Sequence, residues 1–352
     1  MGRKRQSNPL DLPDRVYPKH GAFYYVHRDG RWEKLGTDVG EAKTKGRLYN
    51  DPDSRFGTMA YYLDLFIVHC EGRVGVKDLA QRTYDDYKGY VETLKVYFDR
   101  MTPAQIEPKH IGNYLDLGLK AGRGVSVNRE KACLSACFSW LIRNGEGTVK
   151  TNPCFRVSGI TRNAETPRDV YVEDTHYAAA WKLATRQVRG TMGLIYRTLQ
   201  RPSDVLSWTK ANLVTKRTAG QAEQRLIQTR QNKTGKLLEI AISPEIDQIL
   251  AELQQDKRKV TGMTLIHNRS AQAYTEEGIS SMLRRYIKQT ECPYTWGFMD
   301  LRGKGASDML DAGVPIEQIS ELMGHASVTT TEIYIKNRRR QVVTPNQVQM
   351  RA

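Results

Sequence analysis

The hydrophobic pattern of this 352-residue chain changes period along its length, which no single layer of helices or strands can accommodate. In YPKHGAFYYVHRDGRWEKLGT, apolar and aromatic residues alternate with polar ones around the turn signals HGA and RDGRW, the two-residue period of a small antiparallel sheet. From about 58 to 160 the spacing becomes helical. RTYDDYKGYVETLKVYF offers Thr83 as an N-cap with Asp86 in the capping-box place, ahead of a stripe at Tyr87, Tyr90, Val91, Leu94 and Tyr97. TPAQIEPKHIGNYLDL follows, with Thr102 as a cap and Pro103 at the first helical position. After NREKACLSACFSWLIRNG, a linker runs through NGEGTVKTNP and GITRNAETPRD.

The remainder mixes both periods. RLIQTRQNKTGKLLEIAIS alternates on either side of KTGK and predicts a β-hairpin with Gly235 in its turn. VEDTHYAAAWKLA, GTMGLIYRTLQ, EGISSMLRRYIKQ, ASDMLDAG and PIEQISELMG read as helices, with Gly313 and Gly324 placed as C-caps. The expected class is multidomain α+β: a small antiparallel sheet domain at 1–55, a helical domain at 58–165 and a mixed, mostly α domain with a β-hairpin at 169–352.

Charge narrows the partner. With 54 Lys+Arg against 39 Asp+Glu, a net charge of +15 favours a polyanion, because clustered cations gain free energy by releasing phosphate counterions. Residues 1–50 carry 11 Lys+Arg and 6 Asp+Glu, so the amino-terminal sheet suits DNA, and Arg3, Lys4 and Arg5 are its candidate contacts. Cys70, Cys133, Cys137, Cys154 and Cys292 form no CxxC pair, which argues against a disulfide framework or structural zinc; Cys133 and Cys137, four apart, suit a buried helix face. No run of eighteen apolar residues and no signal peptide occurs, so a cytoplasmic protein with no membrane partner is expected.

Four separated elements hold candidate chemistry: TLQRPSDVLSW around Arg201, NKTGK around Lys233, MDLRGKGASDML around Arg302, and MGHASVTTTEIYIK with His325 and Tyr334. Each alone reads blandly, as a surface ion pair with Asp204, a turn lysine, a cap, or helix packing. In order, Arg, Lys, Arg, His, Tyr, with Asp204 three residues after the first arginine and nine residues from His325 to Tyr334, the set resembles that of the tyrosine recombinases, the phage integrase family. The helical stretch resembles the family's core-site-binding domain, and GRKRQ…DLPDRVYPKHGAFYYV resembles the arm-site-binding domain of the lambda integrase group.

The resemblance implies a site-specific recombinase that cleaves and rejoins DNA attachment sites through a 3′-phosphotyrosine, for integration and excision. It would act as a homotetramer, with an accessory DNA-bending protein and an excisionase as further partners. Tyr334 would be the nucleophile, Arg201 and Arg302 would stabilise charge on the nonbridging oxygens, Lys233 would protonate the leaving 5′ oxygen, and His325 would bond the phosphate and share proton handling. Asp204 would fix Arg201, and Lys236 is a less favoured substitute for Lys233. No metal or other cofactor is implied. One departure stands out: where the family commonly has a histidine, three residues before the second arginine, this chain has Met299, which cannot serve as a base. That departure keeps open a recombinase-fold DNA-binding protein impaired in cleavage; a type IB topoisomerase-like enzyme is the other alternative. The tail KNRRRQVVTPNQVQMRA, with five Lys+Arg and no acid, is either a segment passed to a neighbouring protomer or a basic extension.

Overall fold

A computed structural model describes residues 8–51, 55–217, 223–255 and 262–336. Arg3, Lys4, Arg5 and the tail beyond Lys336 lie outside the described residues. The chain forms two compact units, Met1–Thr166 and Pro167–Ala352.

The first unit opens with a three-stranded antiparallel sheet, β1 (Val16–Lys19), β2 (Ala22–Val26) and β3 (Trp32–Gly36), in the order β1-β2-β3. The β1–β2 turn is His20–Gly21, with φ of 51° and 72°, the left-handed pair that matches strand twist. One sheet face buries Val16, Tyr25 and Leu35 with Ala42 of α1 (Val39–Asn50), a helix absent from the sequence expectation and started by Asp38, whose carboxylate accepts the Glu41 N–H at 2.8 Å. The opposite face carries Tyr17, Lys19, Tyr24, Trp32 and Lys34.

Four helices follow: α2 (Met59–Gly75), α3 (Gln81–Phe98), α4 (Pro108–Lys120) and α5 (Gly124–Asn144). They pack around Leu63, Phe66, Leu94, Phe98, Leu134 and Phe138. Cys133 and Cys137 are buried in that core, as their spacing suggested, and burial pushes both thiols up. Thr83 does not start α3: the helix begins at Gln81 after an extended Ala80, and side-chain pairs Gln81–Asp85 and Arg82–Asp86 stabilise the extra turn. Thr102 and Pro103 open only a single 3-10 turn, Pro103–Gln105, whose Gln105 Oε1 accepts the Thr102 N–H at 2.9 Å.

The second unit is mostly helical: α6 (Asp174–Leu183), α7 (Arg186–Thr198), α8 (Pro202–Ser207), α9 (Pro244–Gln254), α10 (Glu276–Ile287), α11 (Phe298–Asp311), α12 (Ile316–Met323) and α13 (Val328–Lys336). The expected hairpin is present as β5 (Gln224–Arg230) and β6 (Leu237–Ala241), and β4 (Leu213–Lys216), which the sequence reading lacked, extends it to a sheet ordered β4-β5-β6. Trp208, Trp296, Met192, Ile266 and Leu283 fill the main core, while Leu199, Ala306, Ile319, Met323 and Ile335 seat α12 and α13 in a smaller one. Among the described residues no helix is long and apolar enough to cross a membrane.

Candidate active site

Arg201 is placed by a sharp change of direction. Leu199, at φ 52°, ends α7 in the left-handed region, and Pro202 at the first position of α8 makes Arg201 the N-cap, in extended backbone. Its side chain is 17% exposed, and Nη1 is buried without a hydrogen-bond partner among the described residues. Asp204 Oδ2 lies 3.9 Å from it. The fully buried Asp204 turns its other oxygen to the Asn232 N–H at 2.8 Å, so one carboxylate faces Arg201 and anchors the hairpin turn.

That turn spans residues 231–236. Gln231 N–H donates to the Lys236 carbonyl at 2.9 Å and Gly235 N–H to the Gln231 carbonyl at 2.8 Å; Gly235 is at φ 68°, where a side chain would be strained. Lys233 is exposed. It is Lys236, half-buried, whose Nζ reaches the His325 carbonyl, at 3.4 Å.

Arg302, on α11, is 1% exposed, and its Nη2 donates to the Met323 carbonyl at 2.9 Å. The same nitrogen lies 3.2 Å from His325 Nε2. His325 is delivered by a Schellman ending of α12: Gly324, at φ 71°, donates to the Glu321 carbonyl at 2.9 Å, and His325 N–H to the Ser320 carbonyl at 3.0 Å. The ring's Nδ1 lies 2.8 Å from the hydroxyl of the buried Thr331. Burial, then the charges of Arg302, Arg201 and Lys236, push the His325 imidazole down to about 4, so it is neutral at pH 7.

The structure thus brings Arg201, Asp204, Arg302, His325 and Lys236 together and leaves Lys233 exposed on the turn. Tyr334 stands on α13, one helical turn past Thr331; its side chain lies outside the described residues. Met299 sits one turn before Arg302 on α11 and is 39% exposed. Sequence reasoning missed Thr331, because a threonine in VTTTE carries no chemical signature of its own. It also missed Gln200 and Gln231, whose buried amides pair at 2.8 Å.

Two guanidiniums and a neutral imidazole converge here, and Arg201 Nη1, paired with Asp204 Oδ2 only at 3.9 Å, makes no hydrogen bond among the described residues. Such a pocket accepts an anion with several oxygens, and paired donors suit a phosphodiester.

Comparison with known proteins agrees with this geometry. Residues 173–341 match the phage integrase family. The chain is 24% identical over 286 residues to the tyrosine recombinase XerC of Thermodesulfovibrio yellowstonii, covering 78% of this chain and 91% of that protein. It is 26% identical over 290 residues to the integrase of Escherichia phage HK022, covering 76% of each. Among solved structures, a lambda integrase dimer bound to a COC' core site superimposes with a TM-score of 0.67 at 19% identity, over 98% of this chain and all of that one. A lambda integrase tetramer bound to a Holliday junction gives the same score over 96% of this chain and 99% of that one. These likenesses establish the fold.

Proposed function

Since the chain belongs to the phage integrase family of tyrosine recombinases through its domain at residues 173–341, we propose that it is a site-specific DNA recombinase that joins and separates attachment sites through a 3′-phosphotyrosine. The observation that carries this is the unmatched Arg201 nitrogen beside a neutral His325 that Arg302 also touches.

In this reading the Tyr334 phenol oxygen attacks the scissile phosphorus. A P–O bond to tyrosine forms, the bond to the 5′ oxygen breaks with its electron pair, and the Lys233 ammonium protonates that oxygen. The phenol's proton passes to water, or to His325 Nε2 once that nitrogen gives up its Arg302 hydrogen bond, since Met299 cannot take it. Arg201 and Arg302 hold the charge that builds on the nonbridging oxygens. The neutral His325 supports a base role at pH 7, which an imidazolium could not fill. Reversal by another strand's 5′ hydroxyl completes strand exchange, in a homotetramer on DNA; a bending protein and an excisionase would bias direction.

Three DNA-binding parts fit the reading: residues 1–55 on arm-type sites, 58–165 on core sites, and the catalytic domain at 169–352. The arm reading is supported by the solvent-facing side of the sheet, where Tyr17 and Tyr24 lie 5.9 and 6.3 Å from Trp32 and Lys19 Nζ lies 4.9 Å from its ring. Met299 favours a second reading, a recombinase-fold DNA-binding protein that does not cleave.

Covalent capture decides between them. The full chain is incubated with a random-sequence duplex library, adducts that survive denaturation are collected, and the enriched sequence is resynthesised with a nick beside the cleavage position. The expected result is a protein–DNA adduct lost in Tyr334→Phe while binding persists. Binding without any adduct in the parent protein leaves the second reading standing, and an adduct in the phenylalanine variant removes Tyr334 from its role.

A further inference from the structure

Gln200 and Gln231 are fully buried, and each amide group they carry is engaged. Gln231 Nε2 donates to Gln200 Oε1 at 2.8 Å and to the Met323 carbonyl at 2.9 Å, while its Oε1 accepts the Thr234 hydroxyl at 2.7 Å. Gln200 Nε2 donates to the Leu322 carbonyl at 2.6 Å and the Thr198 carbonyl at 2.9 Å. Reversing either amide would set carbonyl against carbonyl, so the network fixes both orientations.

Filling volume does not require this arrangement. Leucine or methionine would pack there without two buried amides, whose desolvation is offset only when every bond is made. What the pair does is join three segments. Gln200 immediately precedes Arg201, Gln231 opens the turn that carries Lys233, and Leu322 and Met323 immediately precede Gly324 and His325. The approach is tight enough that a Cβ on Gly324 would collide with the Gln231 side-chain amide. From Asn232 to Gly235 the turn is exposed, and its inward ties are the Asn232 N–H to Asp204, the Asn232 side-chain amide to the Ser203 carbonyl at 3.3 Å, and the Thr234 hydroxyl to Gln231.

We infer that Gln231, clamped by Gln200, is a positioning residue that holds the Lys233 turn in register with Arg201 and His325, so that the Lys233 ammonium reaches the departing 5′ oxygen. The inference rests on the reading of Lys233 as the general acid. Without the clamp the turn pivots about Asn232 on its Asp204 and Ser203 ties, the guanidiniums and imidazole stay in place, and only the proton donor is misplaced.

The test replaces the bridging 5′ oxygen of the captured, nicked duplex by sulfur. A thiolate, whose conjugate acid has an ordinary pKa of roughly 8.5, departs without a proton, so sulfur restores any rate lost through the acid and none lost through the arginines. Single-turnover cleavage by the full chain is compared for Lys233→Ala, Gln231→Leu, Thr234→Val and Thr234→Ser. On the oxygen substrate, Gln231→Leu and Thr234→Val are expected to be about tenfold to a hundredfold slow, and on the sulfur substrate within about threefold of the parent. Thr234→Ser keeps the hydroxyl and recovers most of the rate. Equal slowing on both substrates would mean that the glutamine supports the site as a whole, and no slowing on either would mean that it positions nothing; each overturns the inference. If Gln231→Leu does not fold, Thr234→Val, on the exposed turn, gives the answer. Lys233→Ala separates the two levels: failure of sulfur to rescue it removes lysine from the acid role, whereas its rescue without rescue of Gln231→Leu and Thr234→Val removes only the clamp.

Discussion

Arg302 donates from Nη2 to Nε2 of His325 at 3.2 Å, and a guanidinium has no lone pair with which to accept. The imidazole nitrogen is therefore the acceptor, the proton sits on Nδ1, and the ring passes it as a hydrogen bond to the Thr331 hydroxyl at 2.8 Å. That contact thus sets the tautomer of the histidine, and its charge adds to the burial that keeps the ring neutral.

The first prediction concerns that charge. In the free protein, His325 should titrate at about 4, against an ordinary 6.5, in a histidine-labelled NMR titration. Because the folded value is depressed, the unfolded chain binds the proton first as pH falls. The stability this group contributes is fully present above 6.5 and is lost progressively down to about 4. Chemical denaturation should show His325→Gln losing that part of the acid sensitivity. A titration near 6.5 would mean that the buried setting of His325 beside Arg302 does not form in solution.

The two turn lysines should separate by readout. Lys236 contributes to holding the imidazole down, so Lys236→Ala should raise the His325 midpoint, removal of a like charge favouring the protonated ring. Lys233→Ala should leave that midpoint alone and slow cleavage by about a hundredfold or more. The reverse pattern in the same two measurements would transfer the acid role to Lys236.

Met299 is 39% exposed and one turn from Arg302, so Met299→Ala should cost less than about tenfold in cleavage, roughly 1.4 kcal/mol of barrier. His325→Ala should cost far more. Met299→His adds an imidazole whose ordinary pKa is roughly 6.5, and the rate should rise as pH passes upward through that region and the ring becomes a neutral base. A flat pH profile for Met299→His would mean that this position does not face the reaction.

On the sheet, Trp32 is 50% exposed and packs only against Tyr17, Tyr24 and Lys19 among the ring contacts described. Trp32→Ala should leave cleavage of isolated core duplexes unchanged and weaken binding to a second, distinct sequence enriched from the library by residues 1–55. If no second sequence is enriched, the arm assignment fails.

Legibility in the sequence followed the kind of physics involved. The hairpin could be read because Gly235 needs a left-handed φ, and the α12 ending because Gly324 does; both leave a residue type behind. Arg201, Arg302 and His325 were singled out because their residue types are scarce and ordered, and the structure places them near one another. Thr83 misled because a capping pattern is local, while Arg82–Asp86 pairing extends the helix past it. Gln200 and Gln231 were invisible: an amide is noticed only once burial and partners are known, and 31 residues separate the two.

The Met323 carbonyl accepts from both Arg302 and Gln231. A main-chain oxygen belongs to every amino acid, so no point mutation at 323 can delete this junction. Replacement of the buried Met323 side chain can only loosen the plug that holds α12 against Leu199 and Ala306. Codon 323 should therefore tolerate apolar exchange while retaining chemistry, and inheritable inactivation must arrive through the donors. In a saturation library, position 323 should sort variants by side-chain volume, and positions 231 and 302 by functional group.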